Sequence, residues 1–262
     1  MSKTPAGRAF RIDRADVRVF LTEAEAGLTA GRAAAAILRE AIAKRGRARV
    51  IVATGRSQDR PVATLVAERG IDWKAVEVFH MDEFVGVPAD HPASFRRWLK
   101  ARVADVVRPG KMFLVEGDAP DTEAECLRYE ALLKESPVDL CLAGFGENGH
   151  IAFNDPHNAD FRESRLVKAV DLDVRSRRQQ VGEKSFPRLD DVPLRALTIT
   201  CPAILACLHL VATVPEARKA AAVRAALEGP VGHACPATLV RIHPNALVFL
   251  DGASAAGLDK KS

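Results

Sequence analysis

The chain has 262 residues and a net charge of +4, and 48% of its residues are apolar while 27% are charged. This length suits one large domain or two small ones, and the composition excludes a disordered or collagen-like chain. Because the net charge is small and no nucleic-acid-binding motif is present, we expect a solvated basic surface and no nucleic-acid partner.

The sequence lacks the features of membrane and secreted proteins. No apolar run reaches the roughly 18 residues of a spanning helix, and the first residues hold no apolar signal segment. The five cysteines are scattered and form no CxxC pair, which is typical of buried free thiols in a reducing compartment. We therefore expect a cytoplasmic protein without membrane contact.

Helix-like and strand-like segments alternate along the chain. Thr22 and Glu25 form a capping-box pattern before an alanine-rich helix that Gly46 ends, and Ser57 is a candidate cap for the next helix. Pro215 is expected at the first position of a later helix. In chain order, the predicted helices are 22–46, 57–70, 92–107, 122–135 and 215–228, and the predicted strands are 49–53, 76–79, 139–145, 195–200, 209–214 and 246–251.

This alternation predicts the fold class. Strands separated by helices favour a single-domain α/β protein, with a Rossmann-like, mostly parallel sheet flanked by helices. Residues 157–190 interrupt the pattern with many charges and poor periodicity, so we interpret them as a partly mobile lid insertion within one domain that spans residues 1–262. Ligands of such sheets bind beyond the carboxyl ends of the strands, and we look for the site there.

Two strand ends carry simple signals. After the first strand, Gly55, Arg56 and Ser57 form a glycine turn that leads into a helix N-terminus, which suits a phosphate group; an ordinary turn is the alternative. After the second strand stand Asp82 and Glu83. Because neighbouring side chains of an extended chain point in opposite directions, at most one of the two is expected to face the crevice.

The third strand end, residues 144–156, has the sequence GFGENGHIAFNDP. Its GxGxxG pattern does not predict a dinucleotide site, because the segment 154–156 breaks any helix within two turns. We expect the glycines, Gly149 included, to bring the backbone close to a ligand and to hold His150 as an acid–base group. Asn148 and Asp155 are its candidate partners.

Two further groups complete the candidates. Lys219 lies near the start of the helix predicted from Pro215, where it is either a solvent-facing side chain or a second contact to the phosphate. A metal site built from His80, Asp82, His150 and Asp155 is an alternative, but no local pairing of ligands supports it, and no metal or cofactor is expected.

Four segments together resemble the glucosamine-6-phosphate deaminase (isomerising) family, which shares its fold with 6-phosphogluconolactonase. They are VATGRS (52–57), FHMDEFVGVPADHPASF (79–95), DLCLAGFGENGHIAFNDP (139–156), and RKAAAVRAALEGPV with HPNALVFLD (218–231 and 243–251). The resemblance implies an enzyme of amino-sugar metabolism that acts on an amino-sugar phosphate without a cofactor. It leaves the oligomeric state open, a homo-oligomer included.

The resemblance also implies residue roles. Asp82 corresponds to the general base that moves a proton between C2 and C1, and His150 corresponds to the group that opens the sugar ring. Asp155 corresponds to a glutamate that orients the histidine. The positions of Gly55, Ser57 and Lys219 correspond to phosphate ligands, with Arg56, Glu83 and Gly149 as further candidates for substrate contact.

The sequence departs from the family pattern at several points. Asn148 stands where an aspartate is usual, so it can hold the imidazole ring by a hydrogen bond but not by charge. In the lid, Arg178 is our choice for the phosphate-contacting arginine, with Arg175 and Arg177 as alternatives. A 6-phosphogluconolactonase and a catalytically idle sugar-phosphate-binding protein remain the alternative functions; Phe84 and Phe153 replace the basic residue and the serine of the lactonase pattern.

Overall fold

The computed structural model describes residues 7–259; the ends of the predicted 1–262 domain, residues 1–6 and 260–262, lie outside the described residues. Eleven strands form within this range. They are β1 (Arg8–Ile12), β2 (Ala15–Phe20), β3 (Ala48–Val52), β4 (Val76–His80), β5 (Asp82–Phe84), β6 (Lys111–Phe113), β7 (Leu140–Ala143), β8 (Val167–Asp171), β9 (Arg195–Ile199), β10 (His209–Val214) and β11 (Ala246–Asp251).

The helices connect these strands and cover them. They are α1 (Glu23–Arg45), α2 (Arg56–Ala67), α3 (Phe95–Leu99), α4 (Asp105–Val107), α5 (Thr122–Lys134), α6 (Val174–Gly182), α7 (Cys201–Leu205) and α8 (Ala220–Glu228). A π-helical turn, Lys100–Ala104, joins α3 to α4, and a 3-10 turn, Ala217–Lys219, leads into α8.

The main sheet has eight strands in the order β1-β2-β11-β10-β7-β3-β4-β6. Every pair is parallel except β1 and β2. Successive residues of a strand point to opposite faces, so Val50 packs with α1 and α2 on one face while Ile51 packs with α5, α7 and α8 on the other. The predicted fold class, a mostly parallel sheet flanked by helices, is confirmed.

A second, three-stranded antiparallel sheet, in the order β5-β9-β8, is a feature that the sequence analysis did not anticipate. Residues 195–200 were expected among the parallel strands, but β9 pairs with β5 and β8 instead. Hydrogen bonds from the amide of Ile199 to the carbonyl of Met81 (3.1 Å) and from the amide of Phe153 to Thr198 Oγ1 (3.0 Å) join this small sheet to the loops of the main one.

Segment 157–190 has more regular structure than expected, because it contributes β8 and α6. Phe84, Phe153 and Phe186 form an aromatic cluster between this segment and the small sheet, with ring centroids of Phe84 at 5.2 Å from Phe153 and 5.3 Å from Phe186. This packing places α6 over the carboxyl ends of the parallel strands, where the candidate site lies.

Candidate active site

A cleft opens at the carboxyl ends of β3 and β7. The order of the strands reverses between these two neighbours, because β4 lies beside β3 on one side and β10 lies beside β7 on the other. Ligands of α/β sheets bind at such a point. Among the predicted site residues, the cleft is lined by Gly55, Arg56, Ser57, Asp82, His150 and Lys219. Glu83, Asn148, Gly149, Asp155 and Arg178 do not line it.

Asp82 faces the cleft from the first position of β5, opposite Thr198 of β9. Its side chain is buried, and burial, with a smaller contribution from the charge of Glu83, raises the pKa of Asp82 to about 8. A carboxylate that is poorly solvated in this way is a stronger base than an exposed one. Asp82 can therefore accept a proton from a group that enters the cleft.

Glu83 was predicted to contact the substrate, but the structure turns its side chain away from the cleft. Because alternate side chains of a strand point to opposite sides, Asp82 and Glu83 cannot both face the ligand. Glu83 is fully buried and accepts hydrogen bonds from the amides of Phe95 (3.2 Å) and Arg96 (3.0 Å) and from Ser94 Oγ (2.7 Å). It thus secures the start of α3 behind Asp82.

His150 reaches the cleft from the loop that follows β7. A methyl group built on Gly146 would overlap its imidazole ring, so only glycine allows the ring to lie in this place. Gly149 has a φ of +81°, and a Cβ there would meet the sulfur of Cys235. These two glycines therefore shape the turn that holds the histidine, and Gly149 acts on the backbone without lining the cleft.

Asp155 and Asn148 lie behind His150, as the sequence analysis expected. Asp155 Oδ1 is 3.2 Å from His150 Nδ1 and accepts a hydrogen bond from Asn148 Nδ2 at 2.9 Å, while Asn148 Oδ1 accepts from the amide of His150 at 3.1 Å. Burial opposes ionisation of Asp155, but hydrogen bonds from His150, Ser176 and Asn148 outweigh it and lower the pKa of Asp155 to about 2. The histidine therefore has an ionised carboxylate as its partner.

A second part of the cleft lining suits an anion. Helix α2 begins at Arg56 with Gly55 as its N-cap, and Gly55 has a φ of +99°. Ser57 was predicted as the cap, but it lies inside the first turn, and no side chain caps this helix. The N–H groups in the first turn of a helix have no acceptor within the helix. The N-terminus of α2 therefore offers free donors and the positive end of the helix dipole to the cleft.

Lys219 adds a cation to the lining of the same cleft. It is buried, and burial lowers the pKa of its ammonium to about 8. Its helix starts later than predicted: the turn after Pro215 is 3-10, and Glu216 has a φ of +81°, which side-chain-bearing residues rarely adopt. Within the described part of the chain, no hydrogen bond or ion pair reaches the Lys219 ammonium.

The neighbouring Arg218, by contrast, is fully engaged. It contacts Glu147 at 2.8 Å, Glu183 at 2.9 Å and Glu216 at 3.0 Å. These three carboxylates come from the loop after β7, the end of α6 and the turn before α8. Arg218 therefore connects three segments at the rim of the cleft, and Lys219 remains the candidate for contact with an anion.

The predicted lid arginine does not reach the cleft. Arg178 is exposed, and Arg177 Nη2 donates to the carbonyls of Leu189 (2.6 Å) and Val192 (3.0 Å) instead. On α6 the polar face toward the cleft carries Gln179 and Gln180 rather than a guanidinium. Sequence reasoning missed these two residues, since their segment has no clear periodicity.

Ser176 is a further residue that the sequence gave no reason to choose. It lies on α6, is buried, and places its hydroxyl oxygen 2.9 Å from His150 Nδ1 and 2.5 Å from Asp155 Oδ1. A serine within a run of arginines carries no signal of such a contact.

Residues 7–259 show neither a metal-binding cluster nor a membrane-spanning helix. Residues 7–259 contain no cluster of three or more His, Cys, Asp or Glu side chains that could bind a metal ion. His80, which belonged to the alternative metal set, is fully buried, and burial lowers its pKa to about 3. In the same range, no helix is long and apolar enough to cross a membrane.

The sequence matches known proteins over most of its length. Residues 22–249 match the family model described as glucosamine-6-phosphate isomerases/6-phosphogluconolactonase. A glucosamine-6-phosphate deaminase of Exiguobacterium sp. strain AT1b is 37% identical over 186 residues, 71% of each chain. Another, from Streptococcus equi subsp. equi, is 31% identical over 232 residues, 88% of this chain and 96% of the relative.

Solved structures agree with this likeness. A monomeric glucosamine-6-phosphate deaminase superposes with a TM-score of 0.85 at 28% identity, over 92% of this chain and 99% of the other. A 6-phosphogluconolactonase of Shewanella baltica OS155 superposes with a TM-score of 0.74 at 22% identity, over 90% and 96% of the two chains. The second likeness concerns the fold alone.

Proposed function

Because the chain belongs to the glucosamine-6-phosphate isomerase/6-phosphogluconolactonase family, we propose that it converts glucosamine 6-phosphate to fructose 6-phosphate and ammonia. The observation that carries this proposal is that Asp82 and His150 line the same cleft as Gly55, Ser57 and Lys219. A phosphate bound by the last three residues, the proposed phosphate end of the cleft, would present the first two carbons of the sugar to the carboxylate and the imidazole.

The phosphate end supplies orientation. The α2 N-terminus and the Lys219 ammonium offer N–H donors and positive charge, whereas the nearby Arg218 is already held by three carboxylates. Binding energy gained at the phosphate, far from the reacting carbons, fixes the sugar relative to Asp82. We assign Gly55, Arg56 and Ser57 to this end on the same grounds.

The chemistry then proceeds in three stages. His150 takes the proton of the C1 hydroxyl and delivers a proton to the ring oxygen, which opens the pyranose. Asp82 removes the proton from C2, which gives an enolamine with a protonated C1 oxygen, and returns that proton to C1. The amine nitrogen gives up the proton that balances the new C1 hydroxyl, and C2 becomes an imine carbon. Water adds to that carbon and ammonia leaves, giving the ketose; the overall change is neither oxidation nor reduction. General acid–base steps of this kind typically contribute about 10²–10⁴-fold each.

The residues behind these groups have supporting roles in the proposal. Asp155 balances the imidazolium that forms when His150 accepts a proton, and Asn148 holds both by hydrogen bonds. Segment 157–190 acts as a lid over the cleft. Gln179 of α6 accepts a hydrogen bond from the amide of Glu147, and Glu183, directly after α6, forms an ion pair with Arg218.

The test is ammonia release from glucosamine 6-phosphate by the purified protein, measured with a coupled assay across 2-amino-hexose 6-phosphates. Asp82→Asn keeps the shape of the side chain but removes its basicity, so it should bind fructose 6-phosphate and release no ammonia. Turnover by Asp82→Asn at the wild-type rate would refute the mechanism. Hydrolysis of 6-phosphogluconolactone above the spontaneous rate, without ammonia release, would favour the lactonase alternative, and binding without either reaction would favour a sensor.

A further inference from the structure

Ser176 connects the lid helix α6 to the acid–base histidine. Its hydroxyl oxygen lies 2.9 Å from His150 Nδ1 and 2.5 Å from Asp155 Oδ1, and only 2% of the residue is exposed. The contact is the single side-chain hydrogen bond from α6 to His150 within the described residues. A buried hydroxyl between an imidazole and a carboxylate can act on the proton that they share.

The directions of these hydrogen bonds follow from charge. Asp155 is ionised at neutral pH, because hydrogen bonds hold its pKa at about 2 against the effect of burial. An ionised carboxylate only accepts, so the Ser176 hydroxyl must donate its hydrogen to Asp155 Oδ1. The Ser176 oxygen is then left as an acceptor, and the hydrogen between it and the imidazole must sit on His150 Nδ1.

We propose that Ser176 is a positioning residue that holds His150 in the Nδ1–H tautomer and makes this tautomer depend on the docking of α6. In that tautomer Nε2 carries no hydrogen and is the ring nitrogen that can accept a proton in the cleft. The catalytic part of this inference rests on the proposed function, whereas the tautomer is a property of the free protein.

The docking of α6 depends on the same carboxylate. Asp155 Oδ2 accepts the amide of Asp173 at 3.1 Å, and Asp173 is the N-cap of α6. One carboxylate thus holds the start of the helix with one oxygen and the histidine–serine pair with the other. When α6 moves away from this position, Asp155 loses the hydrogen bonds from the Ser176 hydroxyl and the Asp173 amide together. His150 Nδ1 then loses the Ser176 oxygen as an acceptor.

A structural role alone, in which Ser176 merely fills a polar gap, makes a different prediction. In that case, replacement of the hydroxyl would lower stability without moving the imidazole hydrogen. The hydrogen would stay on Nδ1, because Asp155 Oδ1 still lies 3.2 Å from that nitrogen. The two views therefore separate on the tautomer and not on stability.

The experiment measures the ¹⁵N chemical shifts of the His150 ring in the free protein, at a pH where the ring is neutral. Wild type should show the Nδ1–H form as the major species. Ser176→Ala should give a mixture of tautomers, and Ser176→Thr, which keeps the hydroxyl, should restore the wild-type pattern. In ammonia release, Ser176→Ala should lower kcat by about 10- to 100-fold with a smaller change in KM, the size of effect known for the hydrogen-bond partners of metal-bound histidines.

Arg177→Ala is the matched control. Arg177 lies on the same helix but donates to the carbonyls of Leu189 and Val192, so its loss removes hydrogen bonds that involve neither His150 nor Asp155 and leaves the Ser176 contact in place. It should lower the melting temperature and keep the tautomer. An unchanged tautomer ratio in Ser176→Ala would overturn the inference. If no ammonia is released by wild type, the proposed function fails, while the ring shifts still decide the role of Ser176.

Discussion

The backbone of Gly146 lies directly against the imidazole ring of His150, so close that a methyl group on Gly146 would overlap the ring atoms. The amide of Gly146 also donates to the carbonyl of His150 at 2.8 Å, which closes the turn around the histidine. Gly146 therefore determines where the ring of His150, the proposed acid–base group, lies in the cleft.

Gly146→Ala should consequently displace the ring while the fold persists. A shift of about 1 Å in a reacting group can cost about 10²-fold, and we expect a loss of that order in kcat for ammonia release. Gly182→Ala is the comparison, because a Cβ on Gly182 at the end of α6 meets no atom within 4 Å. Near-wild-type kcat in Gly146→Ala, with a normal melting curve, would mean that the ring position matters little.

The pH dependence should show two groups that titrate near the same pH. Asp82 must be ionised to act as a base and its pKa is raised to about 8, so kcat/KM should rise as the pH approaches that value. Lys219 must be protonated to bind phosphate and its pKa is lowered to about 8, so kcat/KM should fall above it. A narrow maximum near pH 8 is the expected profile, and a broad plateau centred on pH 6 would contradict both assignments.

Removal of the Lys219 charge should weaken phosphate binding. Hydrogen bonds to charged groups are worth about 1.5–3 kcal/mol, which corresponds to roughly a 10- to 100-fold rise in KM for Lys219→Gln. The alkaline fall of kcat/KM should disappear in the same variant. Calorimetry with inorganic phosphate provides a measurement without turnover, and equal affinity in wild type and variant would remove Lys219 from the anion site.

Asp82 should reduce the stability of the fold in a pH-dependent way. The pKa of its carboxyl group is 3.8 in a model compound and about 8 in the folded protein, so between these values the folded state holds a proton that the unfolded state has released. The contribution of the neutral carboxyl group to stability is therefore lost as the pH rises through this range.

Asp82→Asn has no such titration. Its free energy of unfolding should exceed that of wild type by an amount that grows from about pH 4 to pH 8 and then stays constant. Urea unfolding at several pH values measures this difference. Parallel stability curves for the two proteins across that range would show that Asp82 is not desolvated in the folded state.

The sequence was most informative where the signal is local. The capping box of Thr22 and Glu25 and the C-cap Gly46 enclose α1 as predicted, and β10 and β11 have the predicted bounds. A cap needs only residues within a few positions, and a buried parallel strand is a short run of apolar residues. Such features are readable without knowledge of the tertiary structure.

Features that depend on distant partners were not readable. β5 has only three residues and exists because β9, more than a hundred positions later, pairs with it. The same applies to Ser176, whose partners His150 and Asp155 are brought to it by the packing of α6. In segment 157–190, arginines were the natural choice for phosphate contact, but the register of α6 exposes Arg178 and buries Gln180.

The two proposed reacting groups, Asp82 and His150, are carried by different sheets. Asp82 is borne by β5 of the antiparallel sheet, whereas His150 is borne by a loop of the parallel sheet, and the join between them includes the bonds from Ile199 to Met81 and from Phe153 to Thr198. The distance between the proposed base and the proposed acid therefore depends on how the two sheets pack against each other. Substitutions at this contact would change that distance, and with it the shape of the sugar that fits, while both sheets stay intact.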